Sequence, residues 1–391
     1  MKLCIAGKNN IAVDCLHYSL SFISKKDICV VLNKTDSLKN TWQKSLGFHA
    51  QLLGIKILEL EDVQNIKEIT FLSLEFDRII KPEQFKTTKL YNIHFSFLPE
   101  YKGMYTSLLP ILHGKSYSGV TLHLIDKGID TGNIIDQVSF NIKNMNCNDL
   151  YFNYLKYGTM LVCSHVKELI HGIPNSGKQP VLNSSYYSKT SFDFSLKEIN
   201  PKQTAHQIFL FTLALNFRVY QLPTFKGNKI NKCKLTAIKS NLKPGTIIKQ
   251  NSESIEIASI DYNVKLYIDY YDKLLDCCKN DDFLTARSII NYIVDLNDYD
   301  KNGWTPLIVA CYNGSLKVTK LLLNAGANPN KTNLNGTTSL MYAKDTLIQH
   351  NKYELIKLLL NYKAESSKKD IWGKTIFDYT DDPKLIKLLT Q

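Results

Sequence analysis

Short apolar runs alternate with amphipathic stretches along the first part of the chain. Residues 3–6, 28–32 and 55–58 are predicted as buried strands, while residues 11–24 and 41–46 have the spacing of apolar positions that is typical of helices. Alternating strands and helices predict a mostly parallel sheet covered by helices on both faces. The glycine fingerprint of dinucleotide-binding folds does not follow the first strand, so no dinucleotide is predicted.

Further along the chain, one more strand and a long helix are predicted. Residues 68–80 alternate like a strand and end at Lys81-Pro82, which stops an element. A long helix is predicted over residues 148–171, with Asn148 as its N-cap, and a Gly- and Pro-rich loop follows over residues 172–180. We therefore expect a first domain at residues 1–180.

From residue 181 the elements become shorter. A helix is predicted over residues 201–215, and four alternating runs separated by turn residues follow it. These runs are residues 234–238, 246–249, 254–260 and 264–268. They predict a small antiparallel sheet or open barrel, and hence a second domain at residues 181–268.

The remaining residues, 269–391, contain an internal repeat. The sequence DKNGWTPL at 300–307 has the pattern D-x-x-G-x-T-P-L, and NLNGTTSL at 333–340 repeats it 33 positions later, which is the period of ankyrin repeats. A third copy begins at residue 370 after a longer spacing, so a short insertion is expected around residues 346–350. Second helices are predicted at residues 316–323 and 353–360. Residues 272–296 resemble a degenerate first repeat that acts as a cap. The overall fold class is multidomain: α/β, then a small β-rich domain, then α-helical ankyrin repeats.

Three polar residues beside predicted strands carry the candidate chemistry. Asn92 and His94 are two positions apart, so in a strand both side chains leave the same face. Asp130 follows another apolar run, residues 119–125. Acyl transfer to an amine needs an imidazole to move a proton, an amide to donate to a developing oxyanion and a carboxylate to orient the imidazole. The alternative is structural, with His94 a half-buried histidine and Asp130 a turn or cap residue.

Composition narrows the class of protein. The 391 residues are 44% hydrophobic and 21% charged, as in a folded soluble protein. The net charge of +12 comes from scattered lysines without a basic run, which favours anionic ligands over a nucleic acid. The nine cysteines include no Cys-x-x-Cys pair, so neither zinc nor a redox dithiol is predicted, and no metal is expected. Without an apolar run of about 18 residues or a signal peptide, a cytoplasmic protein that does not enter a membrane is expected.

Taken in order, the motifs resemble the core of folate-dependent formyltransferases. The residues that carry this resemblance are N-x-H at 92–94, S-x-LPEYKG at 96–103, GVTLH at 119–123 and GIDTG at 128–132. The segments SLEFD at 73–77, GMYT at 103–106 and NFRVYQLP at 216–223 are similar to sugar N-formyltransferases that act on dTDP-linked amino sugars. Some members of that group carry a C-terminal ankyrin module. The resemblance implies a formyltransferase-type, Rossmann-like catalytic domain.

The reaction implied by the resemblance is formyl transfer from 10-formyltetrahydrofolate to the amine of a dTDP-amino-dideoxyhexose. By analogy with ankyrin-bearing members, the expected sugar is dTDP-3-amino-3,6-dideoxy-D-glucose, for lipopolysaccharide O-antigen synthesis. His94 would be the general base, Asn92 would hold the formyl oxygen, and Asp130 would fix the imidazole. The expected folate contacts are Phe76, Asp77, Ile79, Gly128 and Asp130. Family members are commonly dimers, so a homodimer is expected.

Substrate contacts follow from the chemistry of dTDP and from the resemblance. The cations Arg78, Lys81 and Lys102 are the candidates for the pyrophosphate. Tyr220 or Phe225 would supply an apolar surface for the thymine. Further contacts are expected from Met104 and Tyr105 in the GMYT segment.

The purpose of the ankyrin repeats is left open by the sequence. Such repeats usually bind a protein through a concave groove. Trp304, however, lies at a turn tip where a large aromatic residue is not required, which suggests a second site for a small ligand, the nucleotide sugar. The alternative is that Trp304 packs on the middle domain or on a neighbouring subunit.

Rival functions come from two classes. The first is the same chemistry on another amine, either that of a methionyl-tRNA or that of a dTDP-4-amino sugar. The second is a non-catalytic ankyrin scaffold with an inactive transferase domain. The presence of Asn92, His94 and Asp130 together argues against the scaffold.

Overall fold

The chain forms two compact units in a computed structural model that describes residues 2–172, 174–346 and 353–390. The first unit comprises Met1–Lys39 and Lys44–Tyr267, and the second comprises Asn40–Gln43 and Ile268–Gln391. The first unit therefore contains both the α/β region and the β-rich region. The finer division at residues 180 and 268 stays a prediction.

A seven-stranded sheet is the centre of the first unit. Its strands are β1 (Leu3–Gly7), β2 (Ile28–Leu32), β3 (Lys56–Ile57), β4 (Thr70–Leu74), β5 (Leu90–His94), β7 (Tyr117–Leu124) and β8 (Ile134–Asn141). The spatial order is β3-β2-β1-β4-β5-β7-β8. The first five strands are parallel to one another, and the pairings β5–β7 and β7–β8 are antiparallel. A short strand, β6 (Lys102–Gly103), pairs separately with β9 (Tyr186–Tyr187). The predicted mostly parallel sheet is confirmed.

Helices cover both faces of this sheet. The helices that pack on it are α1 (Asn9–Ser19), α2 (Leu46–Leu53), α3 (Leu60–Gln64) and α5 (Cys147–His171), while α4 (Leu109–Leu112) and α6 (Ala205–Leu215) pack against each other. On one face Phe71 and Leu90 pack with Leu60 of α3. On the other face Gly158 of α5 lies against Ile93 of β5 and Ile11 of α1. Leu90 and Ile93 are three positions apart, so their side chains point to opposite faces of the sheet.

Three local predictions were wrong in their boundaries. The predicted helix at residues 41–46 is absent, because α2 begins at Leu46, where Ser45 Oγ accepts a hydrogen bond from Phe48 N at 3.0 Å. The long helix α5 is capped by Asn146 rather than Asn148, with Asn146 Oδ1 accepting from Asp149 N at 2.8 Å. The strand predicted over 68–80 ends at Leu74.

The β-rich region is a five-stranded sheet. Its strands are β10 (Thr224–Phe225), β11 (Asn228–Lys239), β12 (Ile247–Gln250), β13 (Ser254–Ile257) and β14 (Tyr262–Ile268). They lie in the order β10-β11-β14-β13-β12, and the pairings β10–β11, β12–β13 and β13–β14 are antiparallel. Strand β11 is longer than the predicted run at 234–238, and β13 ends before residue 260, where the predicted run ends.

The second unit consists of short paired helices. They are α7 (Tyr271–Asn280), α8 (Phe283–Ile289), α9 (Pro306–Tyr312), α10 (Leu316–Asn324), α11 (Ser339–Ala343), α12 (Tyr353–Asn361) and α13 (Pro383–Leu389). Two threonines of the repeated turns cap first helices, with Thr305 accepting from Ile308 N and Thr338 from Met341 N. Residues 347–350 of the expected insertion at 346–350 lie outside the residues that the structure describes. No helix in the described ranges is long and apolar enough to cross a bilayer.

Candidate active site

The candidate residues lie where β5 ends in the large sheet. In the sheet register Asn92 lies beside Ser73 of β4 and opposite His123 of β7. Facing residues of neighbouring strands have their side chains on the same face, only about 5 Å apart. Asn92 Nδ2 and His123 Nε2 are therefore within hydrogen-bond distance, at 3.1 Å.

Asp130 reaches this strand end from a tight turn. Its backbone is left-handed, with a φ of 55°, and Gln179 Nε2 donates to its carbonyl oxygen at 2.8 Å. A Cβ at Gly132 would lie 1.8 Å from Leu124 O, so the turn requires glycine at that position. The backbone N–H of Gly103 donates to Asp130 Oδ2 at 2.9 Å. The turn thus presents a fixed carboxylate to the end of β5.

The predicted residues Asn92, His94 and Asp130 come together around that carboxylate. Asp130 Oδ2 is 3.4 Å from His94 Nδ1, and Asp130 Oδ1 is 3.4 Å from Asn92 Nδ2. His123, which the sequence analysis gave no role, joins them with Nε2 at 3.5 Å from Asp130 Oδ1. His123 faces Asn92 because β5 and β7 pair antiparallel in this register. The sequence pattern does not predict that pairing, so it could not place His123 in the site.

Backbone carbonyls determine which ring nitrogens carry protons. A carbonyl oxygen only accepts, so His94 Nε2 donates to Tyr101 O at 2.8 Å and His123 Nδ1 donates to Leu124 O at 2.7 Å. His123 Nε2 then accepts from Asn92. The remaining nitrogen of His94, Nδ1, faces Asp130 and is the atom that can take up a proton.

Asp130 is held as a carboxylate by its neighbours. Burial favours its neutral form, but the adjacent His94 and His123 and the hydrogen bond from Gly103 N outweigh burial. The pKa of Asp130 therefore lies well below its ordinary value. A proton arriving on His94 Nδ1 would be stabilised by this negative charge, as a general base requires.

These residues form the floor of a cavity of about 530 Å³, a size typical of small-molecule sites. The predicted residues that line it are Phe76, Asp77, Arg78, Ile79, Asn92, His94, Met104, Gly128 and Asp130. Other lining residues, to which the sequence analysis assigned no role, include Lys8, Asn33, Ser73, Glu75, Thr106 and His123. Within the described ranges, no group of three or more His, Cys, Asp or Glu side chains could hold a metal ion.

Five predicted substrate contacts are not among the residues that line the cavity: Lys81, Lys102, Tyr105, Tyr220 and Phe225. Lys102 Nζ donates to Ser184 Oγ at 3.0 Å, and Tyr105 OH donates to Lys189 O at 2.8 Å. Phe225 is only 2% exposed, so its ring has no open face for a thymine. Tyr220 is 57% exposed and remains accessible.

Two solved structures resemble this chain closely. The N-formyltransferase from Helicobacter canadensis, in complex with folinic acid and dTDP-3-aminofucose, is 44% identical over 68% of this chain and 99% of its own, with a TM-score of 0.63. The sugar 3N-formyl transferase WlaRD, solved in the presence of dTDP and 5-N-formyl-THF, has the same identity and TM-score and is covered over 97% of its length. The chain belongs to the sugar N-formyltransferase family. The prediction of an enzyme is thereby confirmed.

Family and sequence comparisons place the chain among formyltransferases more broadly. The formyl transferase family matches residues 70–156 of this sugar N-formyltransferase, and three ankyrin repeats match residues 274–370. The methionyl-tRNA formyltransferase of Clostridium botulinum is 29% identical over 51% of this chain and 66% of its own length. That of Clostridioides difficile is 24% identical over 67% of this chain and 89% of its own length. The ankyrin prediction is confirmed.

Two cavity residues of this sugar N-formyltransferase have polar atoms ready for a ligand. The buried Arg78 Nε and Asn33 Oδ1 make no hydrogen bond to any described residue. The Arg78 guanidinium lies 4.9 Å from the centre of the Phe76 ring, and its Nη2 donates weakly to Leu32 O at 3.5 Å. A buried donor and a buried acceptor without partners are costly unless a ligand satisfies them.

Proposed function

We propose that this sugar N-formyltransferase transfers a formyl group from 10-formyltetrahydrofolate to the amine of a dTDP-linked 3-amino-3,6-dideoxyhexose. The observation that carries the proposal is the convergence of Asn92, His94 and Asp130 in one cavity. The ligands of the Helicobacter canadensis relative, folinic acid and dTDP-3-aminofucose, support both the donor and the sugar class. Within that class we favour dTDP-3-amino-3,6-dideoxy-D-glucose, used for lipopolysaccharide O-antigen.

The residues divide the chemistry between proton transfer and charge stabilisation. Bound folate would supply the formyl group, and its leaving nitrogen would take up the proton that His94 receives, so that it departs as a secondary amine. His94 accepts a proton at Nδ1 from the attacking amine, and Asp130 stabilises the imidazolium. One hydrogen of the Asn92 amide donates from Nδ2 to His123 Nε2. The other lies near Asp130 Oδ1, at an Nδ2–Oδ1 distance of 3.4 Å, and donates to the developing oxyanion.

The cavity lining offers candidate contacts for both substrates. We assign the folate to Phe76, Asp77, Ile79, Gly128 and Asp130, where the unpartnered atoms of Asn33 and Arg78 offer an acceptor and a donor to a polar ring. For the sugar nucleotide, Arg78 and Met104 lie in the cavity. The accessible Tyr220 is the aromatic candidate for the thymine, in place of the covered Phe225.

A substrate panel tests the proposal. The full chain is assayed with 10-formyltetrahydrofolate and dTDP-3-amino-3,6-dideoxyglucose, dTDP-3-aminofucose, a dTDP-4-amino-4,6-dideoxyhexose or methionyl initiator tRNA. We expect the highest kcat/KM with a 3-amino sugar and no formylation of the tRNA. A preference for the 4-amino sugar would refute the assigned position of the amine, and tRNA formylation would refute the substrate class.

A further inference from the structure

Glu75 is a second carboxylate of the cavity that the proposed mechanism does not use. Its Oε2 accepts hydrogen bonds from Asn9 Nδ2 at 2.8 Å and from Tyr151 OH at 2.9 Å. Asn9 Nδ2 also lies 2.8 Å from Tyr151 OH, which closes a three-membered network between α1, α5 and the end of β4. No hydrogen bond to a described residue is made by Oε1 of the same carboxylate.

The backbone of Glu75 is unusual as well. Its φ is 56°, a left-handed conformation that costs about 1 kcal/mol for a residue with a Cβ. Asn33 Nδ2 donates to Glu75 O at 2.9 Å and holds this conformation. The left-handed turn ends β4 and directs the side chain towards Asn9 and Tyr151. Strain maintained by such contacts is a common feature of binding sites.

No cation of the described residues contacts the Glu75 carboxylate directly. In the described part of the chain, Glu75 makes no ion pair with a lysine, arginine or histidine within 4.0 Å. Burial raises its pKa, and Lys8, Asn9 and Tyr151 offset this only in part. Asn9 and Tyr151 are neutral donors, which satisfy one oxygen without supplying a positive charge. A cationic ligand is what this carboxylate lacks.

Other carboxylates of the cavity suit a cation less well. Asp130 Oδ2 already accepts a hydrogen bond from Gly103 N, and the two carboxylate oxygens lie 3.4 Å and 3.5 Å from the histidines. Asp77 and Asp126 are exposed to solvent, where an ion pair contributes little. Glu75 is half-buried, and its position next to Leu74, which pairs with Ile93, brings it to the strand end that carries His94. Neighbouring strands are about 4.8 Å apart, so one amine can lie near both residues.

We propose that Glu75 recognises the ammonium group of the amino sugar, with Oε1 accepting a hydrogen bond from it before the formyl transfer. This inference rests on the proposed function. The charge-assisted hydrogen bond draws the ammonium to the strand end beside His94. There it releases one proton to solvent, and the neutral amine then attacks and gives its next proton to His94. The hydrogen bond also discriminates against sugar nucleotides that carry a neutral hydroxyl in place of the amine, because such a hydroxyl leaves the charge of Glu75 unbalanced.

The alternative is that Glu75 only connects α1 and α5 through Asn9 and Tyr151. Glu75→Gln separates the two roles, because glutamine keeps the size and one acceptor oxygen but removes the charge. Binding is measured by calorimetry on the full chain for dTDP-3-amino-3,6-dideoxyglucose, for dTDP-6-deoxyglucose, which has a hydroxyl at carbon 3, and for folinic acid. Glu83→Gln is the matched control, since Glu83 is an exposed carboxylate outside the cavity.

We expect Glu75→Gln to raise the Kd of the amino sugar nucleotide at least about tenfold. The Kd of the hydroxyl analogue and that of folinic acid should change less than about twofold, and Glu83→Gln should change none of the three. Equal losses for the amino and hydroxyl sugars, or no loss for either, would overturn the proposal.

A second variant guards against misfolding of Glu75→Gln. Tyr151→Phe removes one donor to Oε2 and leaves the charge in place, so we expect a smaller loss that still affects only the amino sugar. An equal loss for both sugars in this variant would also count against an ammonium site. Turnover by the wild-type chain reports separately on the proposed function. If the wild type is active, a loss of binding without selectivity for the amine refutes only the role of Glu75. If the wild type is inactive, both the proposed function and the role of Glu75 are refuted.

Discussion

At the scale of residues, the site depends on one carboxylate that faces two imidazoles. Asp130 lies 3.4 Å from His94 Nδ1 and 3.5 Å from His123 Nε2. The two rings differ in their contacts, because His123 Nε2 accepts from Asn92 whereas His94 Nδ1 faces Asp130. We therefore propose that His94 transfers the proton and that His123 orients the amide of Asn92.

The variant His94→Asn tests this division. Asparagine cannot accept a proton, so we expect kcat to fall by about a thousandfold, within the range attributed to general bases. The Kd of the sugar nucleotide should change by less than about threefold. Steady-state kinetics and calorimetry measure the two effects, with the exposed His206→Asn as control. A kcat within tenfold of wild type would remove His94 as the base.

The residues that the sequence could not predict share one property. Asn92, His94 and Asp130 are recognisable because local alternation and a short motif place them. The relation of His123 to Asn92 needs the β5–β7 register, and the position of Glu75 needs a left-handed turn where alternation predicted continued strand. Both are products of tertiary structure, which a local pattern does not encode.

At the scale of elements, the contact between α1 and α2 contains a histidine pair. His17 Nε2 and His49 Nδ1 are 3.0 Å apart, and Lys44 Nζ is 2.5 Å from Asp14 Oδ1 nearby. Burial, then the neighbouring His17 and Lys44, lower the pKa of His49 to about 4, although Asp14 opposes them. The pKa of His17 is lowered too, by burial and Lys44.

This pair predicts a loss of stability in weak acid. The folded pKa of His49 lies below its unfolded value of about 6.5, so the unfolded chain binds more protons between these two values. The contribution of His49 to the free energy of unfolding is fully present above pH 6.5. It declines towards pH 4 by at most about 1.4 kcal/mol per pH unit. Denaturant melts between pH 4 and 7 should show a shallower decline for His49→Gln than for wild type. Equal slopes would contradict the prediction, and His206→Gln is the control.

The ends of helices show a second limit of prediction from sequence. The periodicity located α1, α5 and α6, but the start of α5 depends on which of two nearby asparagines caps it, and the structure uses Asn146. The predicted helix at 41–46 failed because the Ser45 cap starts α2 later and Asn40–Gln43 groups with the second unit. Capping and long-range contacts, rather than periodicity, decide these boundaries.

At the scale of the whole molecule, the role of the ankyrin unit centres on Trp304. Its ring lies 4.8 Å from that of Tyr342 and 5.0 Å from that of Tyr312, and it packs against the core of the repeats. We expect Trp304→Ala to lower the melting temperature and to leave the number of dTDP-sugar sites per chain unchanged in a calorimetric titration. Loss of one binding event at unchanged stability would instead support the second-site hypothesis.

The cavity also predicts what happens when the ankyrin repeats are removed. All residues that line it belong to the first unit, and the two solved relatives cover 68% of this chain, about the length of that unit. A chain that ends at Tyr267 should therefore keep kcat/KM within about threefold of the full chain, because the groups proposed to bind and transfer protons remain. Formylation assays on both chains measure this, with circular dichroism to verify folding. A folded but inactive shorter chain would show that the repeats complete the active site.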